Sequence, residues 1–160
     1  MRKISLLMGL VLTVIAASTA IAEEKVPDCM SDVKAGEWVI YELPGRIQQK
    51  HSVTDVTEGV ATIEMQMLMN GQVLSTMEEK VVISDMKDKS APFSPKIYKG
   101  EADVKDGKMN CTVVEAEVEG RVSKTYMSNK IPVMGIIAAE YDGVQAMTLV
   151  DYGFEPVVEE

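Results

Sequence analysis

Residues 60–83 read VATIEMQMLMNGQVLSTMEEKVVI, and the fold class turns on this stretch. Ile63, Met65, Met67 and Met69 recur at every second position, with Glu64 and Gln66 between them. A period of two puts alternate side chains on opposite faces of a strand, whereas a helix would repeat at three and four. Asn70-Gly71 interrupts the run with two residues that tolerate positive φ, and the pattern resumes at Gln72. Two antiparallel strands joined by a tight turn follow from this.

The same rhythm extends in both directions. Strands are predicted over Glu37–Leu43, Ile47–Val56, Val60–Asn70, Gln72–Ile83, Glu101–Lys105, Lys108–Val118, Arg121–Met127, Ile136–Tyr141 and Val144–Tyr152. Pro44-Gly45, Glu58-Gly59, Asn70-Gly71, Asp106-Gly107, Glu119-Gly120 and Asp142-Gly143 separate them. No segment carries a capped 3.6-residue apolar period. The reading is all-β: an antiparallel meander forming a strongly curved sheet or incomplete β-barrel.

Register follows from the turns. A two-residue loop at Asp106-Gly107 pairs Val104 with Met109 and Ala102 with Cys111. At Asn70-Gly71 a two-residue loop would oppose Ile63 to Glu78. A three-residue loop, with a bulge at the glycine, instead aligns Met67 with Val73 and Ile63 with Met77. The second is preferred, because a one-residue slip exchanges the buried and wet faces. Two segments break the rhythm, Ser84–Gly100 with Pro92 and Pro95, and the shorter Ser128–Gly135.

At 160 residues the chain supports one domain, and 46% hydrophobic residues are too many for wholesale disorder. The expected divisions are a signal peptide over 1–22, an N-terminal segment over 23–35, a β-meander domain over 36–154 and an acidic tail over 155–160. The signal reading rests on Arg2 and Lys3, the apolar run Leu6 to Ala17, and the small residues of Ala20-Ile21-Ala22. It predicts a periplasmic or secreted protein with no integral membrane segment after processing. Loss of Arg2 and Lys3 takes the formal charge from -9 to -11. So acidic a chain repels polyanions, which argues against nucleic acid as a partner.

Cys29 and Cys111 both survive processing, and in an exported protein an even pair most simply forms one disulfide. It would close a loop of about 80 residues, worth on the order of 4 kcal/mol in the chain-entropy model, and tether the N-terminal segment to a strand. A metal or redox role is the weaker reading, since no C-x-x-C or Cys/His cluster accompanies the pair.

Groups with catalytic potential are scarce. His51 is the only histidine, and it reads as a half-exposed strand residue. No nucleophile elbow, metal-ligand spacing or phosphate-cradling glycine loop is present. Glu115, Glu117 and Glu119 alternate along one strand face, which solvation explains. No catalytic residue, metal or cofactor is assigned, and the chain reads as a non-enzyme.

Methionine is the unusual element, with Ile63, Met65 and Met67 on one strand facing Val73 and Met77, and Val104 and Met109 on a second hairpin. Flexible, polarizable thioethers either fill a core short of aromatics or line an adaptable apolar cavity. Met-x-Met-x-Met also offers soft ligands to copper, although no histidine or cysteine stands near it in sequence.

Two stretches carry a resemblance. Gly36-Glu37-Trp38-Val39-Ile40-Tyr41-Glu42 resembles the opening strand of exported bacterial β-proteins. Thr125 through Pro132, followed by Gly135 through Glu140 and Asp142-Gly143, is similar to the closing hairpin of periplasmic proteins near the LolA-like lipoprotein-carrier group. The resemblance implies a curved antiparallel sheet around an apolar concavity, which in the carriers takes up acyl chains. It assigns no functional residue. The expected function is binding of a lipid or other apolar small molecule. The alternative is an interaction or structural module meeting another protein of the cell envelope.

Overall fold

The computed structural model describes residues 26–84 and 95–157. The leader reading (1–22) lies outside the described residues, as do 85–94 of the irregular connection and the last three residues of the tail. Among the described residues nine strands form one antiparallel sheet: β1 (Glu37–Leu43), β2 (Ile47–Thr57), β3 (Val60–Met69), β4 (Gln72–Val82), β5 (Lys96–Val104), β6 (Gly107–Val118), β7 (Arg121–Met127), β8 (Ile136–Tyr141) and β9 (Val144–Phe154). Among the described residues there is no helix long and apolar enough to cross a membrane.

Four turns have both central residues at positive φ: Glu58-Gly59, Asn70-Gly71, Glu119-Gly120 and Asp142-Gly143. That twist matches the right-handed twist of the flanking strands, so each closes a two-residue hairpin. Spatial order is β4-β3-β2-β1-β9-β8-β7-β6-β5. Every neighbouring pair is consecutive in sequence except β1 and β9. That ladder joins a four-strand meander to a five-strand one, and among the described residues it leaves β4 and β5 as unpaired edges. The sheet therefore does not close.

Register also fixes the faces. Tyr41 pairs with Gln49 and with Leu149, and His51 pairs with Val39 and Met65. Thr125 pairs with Val114 and Ala139, and Ala139 with Met147. All of these side chains share one face, the inner one, where Val39, Tyr41, His51, Val114 and Thr125 are fully buried. The other face carries Val113, Tyr126 and Ala138 in register. At the β5 end this outer face is covered too. β5 approaches β7 and β8 although it pairs only with β6, and Lys105 reaches Asp151 of β9 at 3.9 Å. The sheet is strongly curved there, and Ile136 through Ala139 of β8 are buried on both sides.

Two segments without regular structure complete the core. Met30 and Val33 of the N-terminal segment are buried, as are Ile131, Val133 and Met134 of the β7–β8 connection. The connection is tied by Ser128 N–H to the Gly135 carbonyl at 2.8 Å and by Val133 N–H to Glu37 Oε2 at 3.4 Å. Val133 holds φ at 64°, a conformation β-branched residues avoid. Ser128–Gly135 is thus an apolar plug.

Several expectations are corrected. β5 begins at Lys96, five residues before the predicted Glu101, because Lys96 and Tyr98 pair with Glu115 and Val113 of β6. At Asn70-Gly71 the loop has two residues, and the slip falls inside β4. Leu68 pairs with Val73 and Met67 with Ser75, so Met65, not Ile63, faces Met77. The bulge at Leu74 restores the apolar alignment that the turn alone would miss. At the β5–β6 turn Val104 pairs with Gly107 and Ala102 with Met109. The partner moves by two residues, which preserves the face.

Cys29 and Cys111 are free thiols. The Cys29 thiol points at the Ser128 carbonyl, 3.7 Å away, and lies close enough to Tyr41 to raise its phenol. Cys111 shares the opposite face with Val113 and pairs with Gly100. The sheet stands between the two sulfurs. The N-terminal segment is held instead by packing around Cys29, Gly135 and Ser128.

Two outcomes follow. Denatured without reductant, the protein should take up two carbamidomethyl groups from iodoacetamide by mass spectrometry; none would mean a bridge. Gly135→Ala puts a methyl against Cys29 and the Ser128 carbonyl at φ +69° and should cost roughly 3 kcal/mol or more in urea unfolding. Gly143→Ala, at φ +73° with open space around it, should cost only about 1–2 kcal/mol.

Candidate functional site

The methionine stripe and the inner face come together on β3. Ile63 (3% exposed) and Met65 (6%) are in the core, Met67 is half-buried, and Met69 reaches the surface at 38%. Val73 and Met77 of β4 are 53% and 61% exposed. β4 from Gln72 to Lys80 is exposed on both faces, as an edge strand with one neighbour should be. The stripe is therefore a gradient from dry core to open edge. Val104 and Met109 are half-buried against the same core, but on the opposite face with Cys111. The structure brings Ile63, Met65 and Met67 together and leaves that pair apart.

Sequence reasoning missed the polar group beside the stripe. His51 was expected half-exposed; it is fully buried, because β1 and β3 flank it with Val39 and Met65 on the inner face. Its ring meets Tyr41 edge to face, with centroids 5.4 Å apart and planes at 78°. Tyr41 Oη, both His51 nitrogens and Thr125 Oγ1 have no hydrogen-bond partner among the described residues. Each such buried group costs about 1–3 kcal/mol. Folded proteins rarely leave several on one face. The signal available in the sequence was parity: Tyr41 and His51 fall on the same alternation as Val39 and Val53.

Burial governs the chemistry of this face. Desolvation lowers the His51 pKa to about 4, so the ring is neutral at pH 7. Burial, and then the neighbouring Cys29, push the Tyr41 phenol far above its usual range. Cys29 is likewise raised to about 12 by burial and by Asp28. The face thus presents neutral donors and acceptors: a phenol O–H, one imidazole N–H and one imidazole lone pair.

The outer face is different in kind. Glu115 accepts from Tyr98 Oη at 3.2 Å and from Lys96 at 3.4 Å, and pairs with Lys124 at 3.5 Å. Tyr126 Oη donates to Glu140 at 3.1 Å. Burial raises the Glu115 carboxyl, but these hydrogen bonds and ammonium groups outweigh it and the net shift is downward. The cluster is a surface ion-pair network, which contributes little to stability. Among the described residues no group of three His, Cys, Asp or Glu side chains converges as a metal site would require. No family model matches the chain, and no curated protein matches it in sequence.

The buried histidine gives stability a pH dependence. Its folded pKa of about 4 lies below the ~6.5 of an unfolded histidine, so the unfolded chain binds the proton first. The contribution is complete above the unfolded value and is lost as pH falls from about 6.5 toward 4, amounting in full to on the order of 3 kcal/mol. The urea midpoint of wild type should fall relative to that of His51→Leu as pH drops across this range. A constant difference would mean that the ring is solvated and titrates normally.

Proposed function

We propose that this chain is an exported, non-enzymatic binding protein that takes a lipid or other apolar molecule against its methionine-rich inner face. The observation that carries the reading is the exposure gradient on β3, from buried Met65 through half-buried Met67 to the surface at Met69, beside the unpaired edge β4. A continuous apolar track from surface to core suits an acyl or isoprenoid chain. Thioethers adapt to it with little strain. The LolA-like resemblance of the opening strand and closing hairpin supports the same reading. The leader at 1–22 supports a periplasmic or secreted location.

One observation favours a second reading, docking to another envelope protein. β4 offers an unpaired backbone edge with Val73, Leu74 and Met77 exposed beside it, the geometry that strand addition uses. The two readings differ in what Met67 does, since an added strand would contact β4 and leave the half-buried thioether alone.

Titration with N-phenyl-1-naphthylamine separates them. Saturable fluorescence enhancement is expected for the purified protein. Met67→Asp should weaken it by tenfold or more, while Met69→Asp changes it by less than twofold. Equal loss in both variants, or none, contradicts an inner-face site.

A further inference from the structure

The inner end of the methionine stripe is polar, and its chemistry is specific. His51 stands directly opposite Met65, and Gln49 opposite Met67. Tyr41 is the cross-strand partner of Gln49 and lies edge-on to His51. An apolar chain following the track inward from Met69 therefore meets the Tyr41–His51 pair at the level of Met67 and Met65, before Ile63 and Val53. Both side chains are 0% exposed, and Tyr41 Oη and the two imidazole nitrogens have no partner among the described residues.

What can satisfy these atoms is limited by charge. The buried polar side chains among the described residues are Gln49, His51, Thr62, Ser123, Thr125 and Ser128; no lysine or arginine is among them. A carboxylate or phosphate drawn into this face would lose its hydration with no cation to neutralise it, a cost of several kcal/mol. The imidazole is neutral through burial, and to supply one it would have to take up a proton against its own desolvation. An uncharged oxygen fits. A carbonyl accepts from the Tyr41 hydroxyl and the imidazole N–H, and a hydroxyl can also donate to the imidazole lone pair.

We infer that the molecule bound along the stripe is a neutral amphiphile, whose hydroxyl or carbonyl oxygen is held by Tyr41 and His51 and whose tail lies over Met65 and Met67. This rests on the apolar-ligand reading above and narrows it to a chemical class. Free fatty acids and phospholipid head groups are excluded from the inner end. Fatty alcohols, esters and quinone- or sterol-like molecules are admitted. The two side chains are positioning and binding groups; no bond is made or broken.

The test uses matched ligands on the purified chain. Dodecanol, dodecanoate and dodecane compete against N-phenyl-1-naphthylamine at neutral pH, for wild type and for Tyr41→Phe, which removes one unpartnered hydroxyl and keeps the ring. Wild type should bind dodecanol at least tenfold tighter than either of the other two. In Tyr41→Phe the advantage of dodecanol over dodecane should fall by fivefold or more, with dodecane unchanged. Dodecanoate binding as well as dodecanol overturns the inference, as does an unchanged dodecanol advantage in Tyr41→Phe, which would mean that ordered water serves the hydroxyl. Equal binding of all three overturns the inference and leaves the apolar-ligand reading standing. No probe binding at all removes both.

Discussion

The pairing of β1 with β9 is the constraint from which the rest follows. Each other ladder is a local hairpin that its own turn can nucleate. This one joins residues more than a hundred positions apart in sequence, aligning Tyr41 with Leu149. Because that alignment puts Val39, Tyr41 and His51 on the same face as Val114, Thr125 and Ala139, the two meanders share one core. Its end is fastened where Glu155 N–H donates to the Gly36 carbonyl at 2.7 Å. Gly36 sits there at φ +95°, where any side chain would strike the Glu155 carbonyl. The Trp38 indole lies against Gly153 on the opposite face, in space that an added Cβ would fill. Loss of this ladder would expose two separate apolar sheets, neither able to bury itself.

Given that single layer, the distribution of burial explains where binding chemistry can reside. The N-terminal segment and the Ser128–Gly135 plug fill space next to Tyr41 and β1, so the inner face there is dry. Toward β4 nothing among the described residues covers it, and the methionines emerge. A dry polar pair at one end of an apolar track and an open edge at the other is an asymmetric arrangement. Asymmetry of that sort suits a molecule that is itself apolar along most of its length and polar at one end.

Much of this was legible in the sequence, and the failures have physical causes. Alternation and Gly-containing turns located every strand, since period two and positive φ are local properties. β5 was shortened because Pro95 and the lysines of Lys96–Lys99 look irregular alone; only the facing Glu115 and Val113 make them a strand. The Asn70-Gly71 hairpin was misregistered because a bulge at Leu74, invisible to local rules, absorbs the slip. Edge status for β4 and β5 depends on the distant β1–β9 ladder, so exposure of Val73 and Met77 could not be foreseen. The disulfide expectation counted cysteines without knowing their faces. His51 reads as a half-exposed strand residue when taken singly, although its parity with Val39 and Val53 marks it as inward.

The central claim is that Met65 and Met67 meet a bound apolar molecule. The most direct measurement is methyl NMR of the protein labelled with 13C-methyl methionine, titrated with a neutral long-chain alcohol. The account predicts large, saturable shifts of the Met65 and Met67 methyls, with those of Met30 and Met134 in the packed region nearly still. Shifts confined to exposed Met69 and Met77, or spread evenly over all methionines, would contradict it.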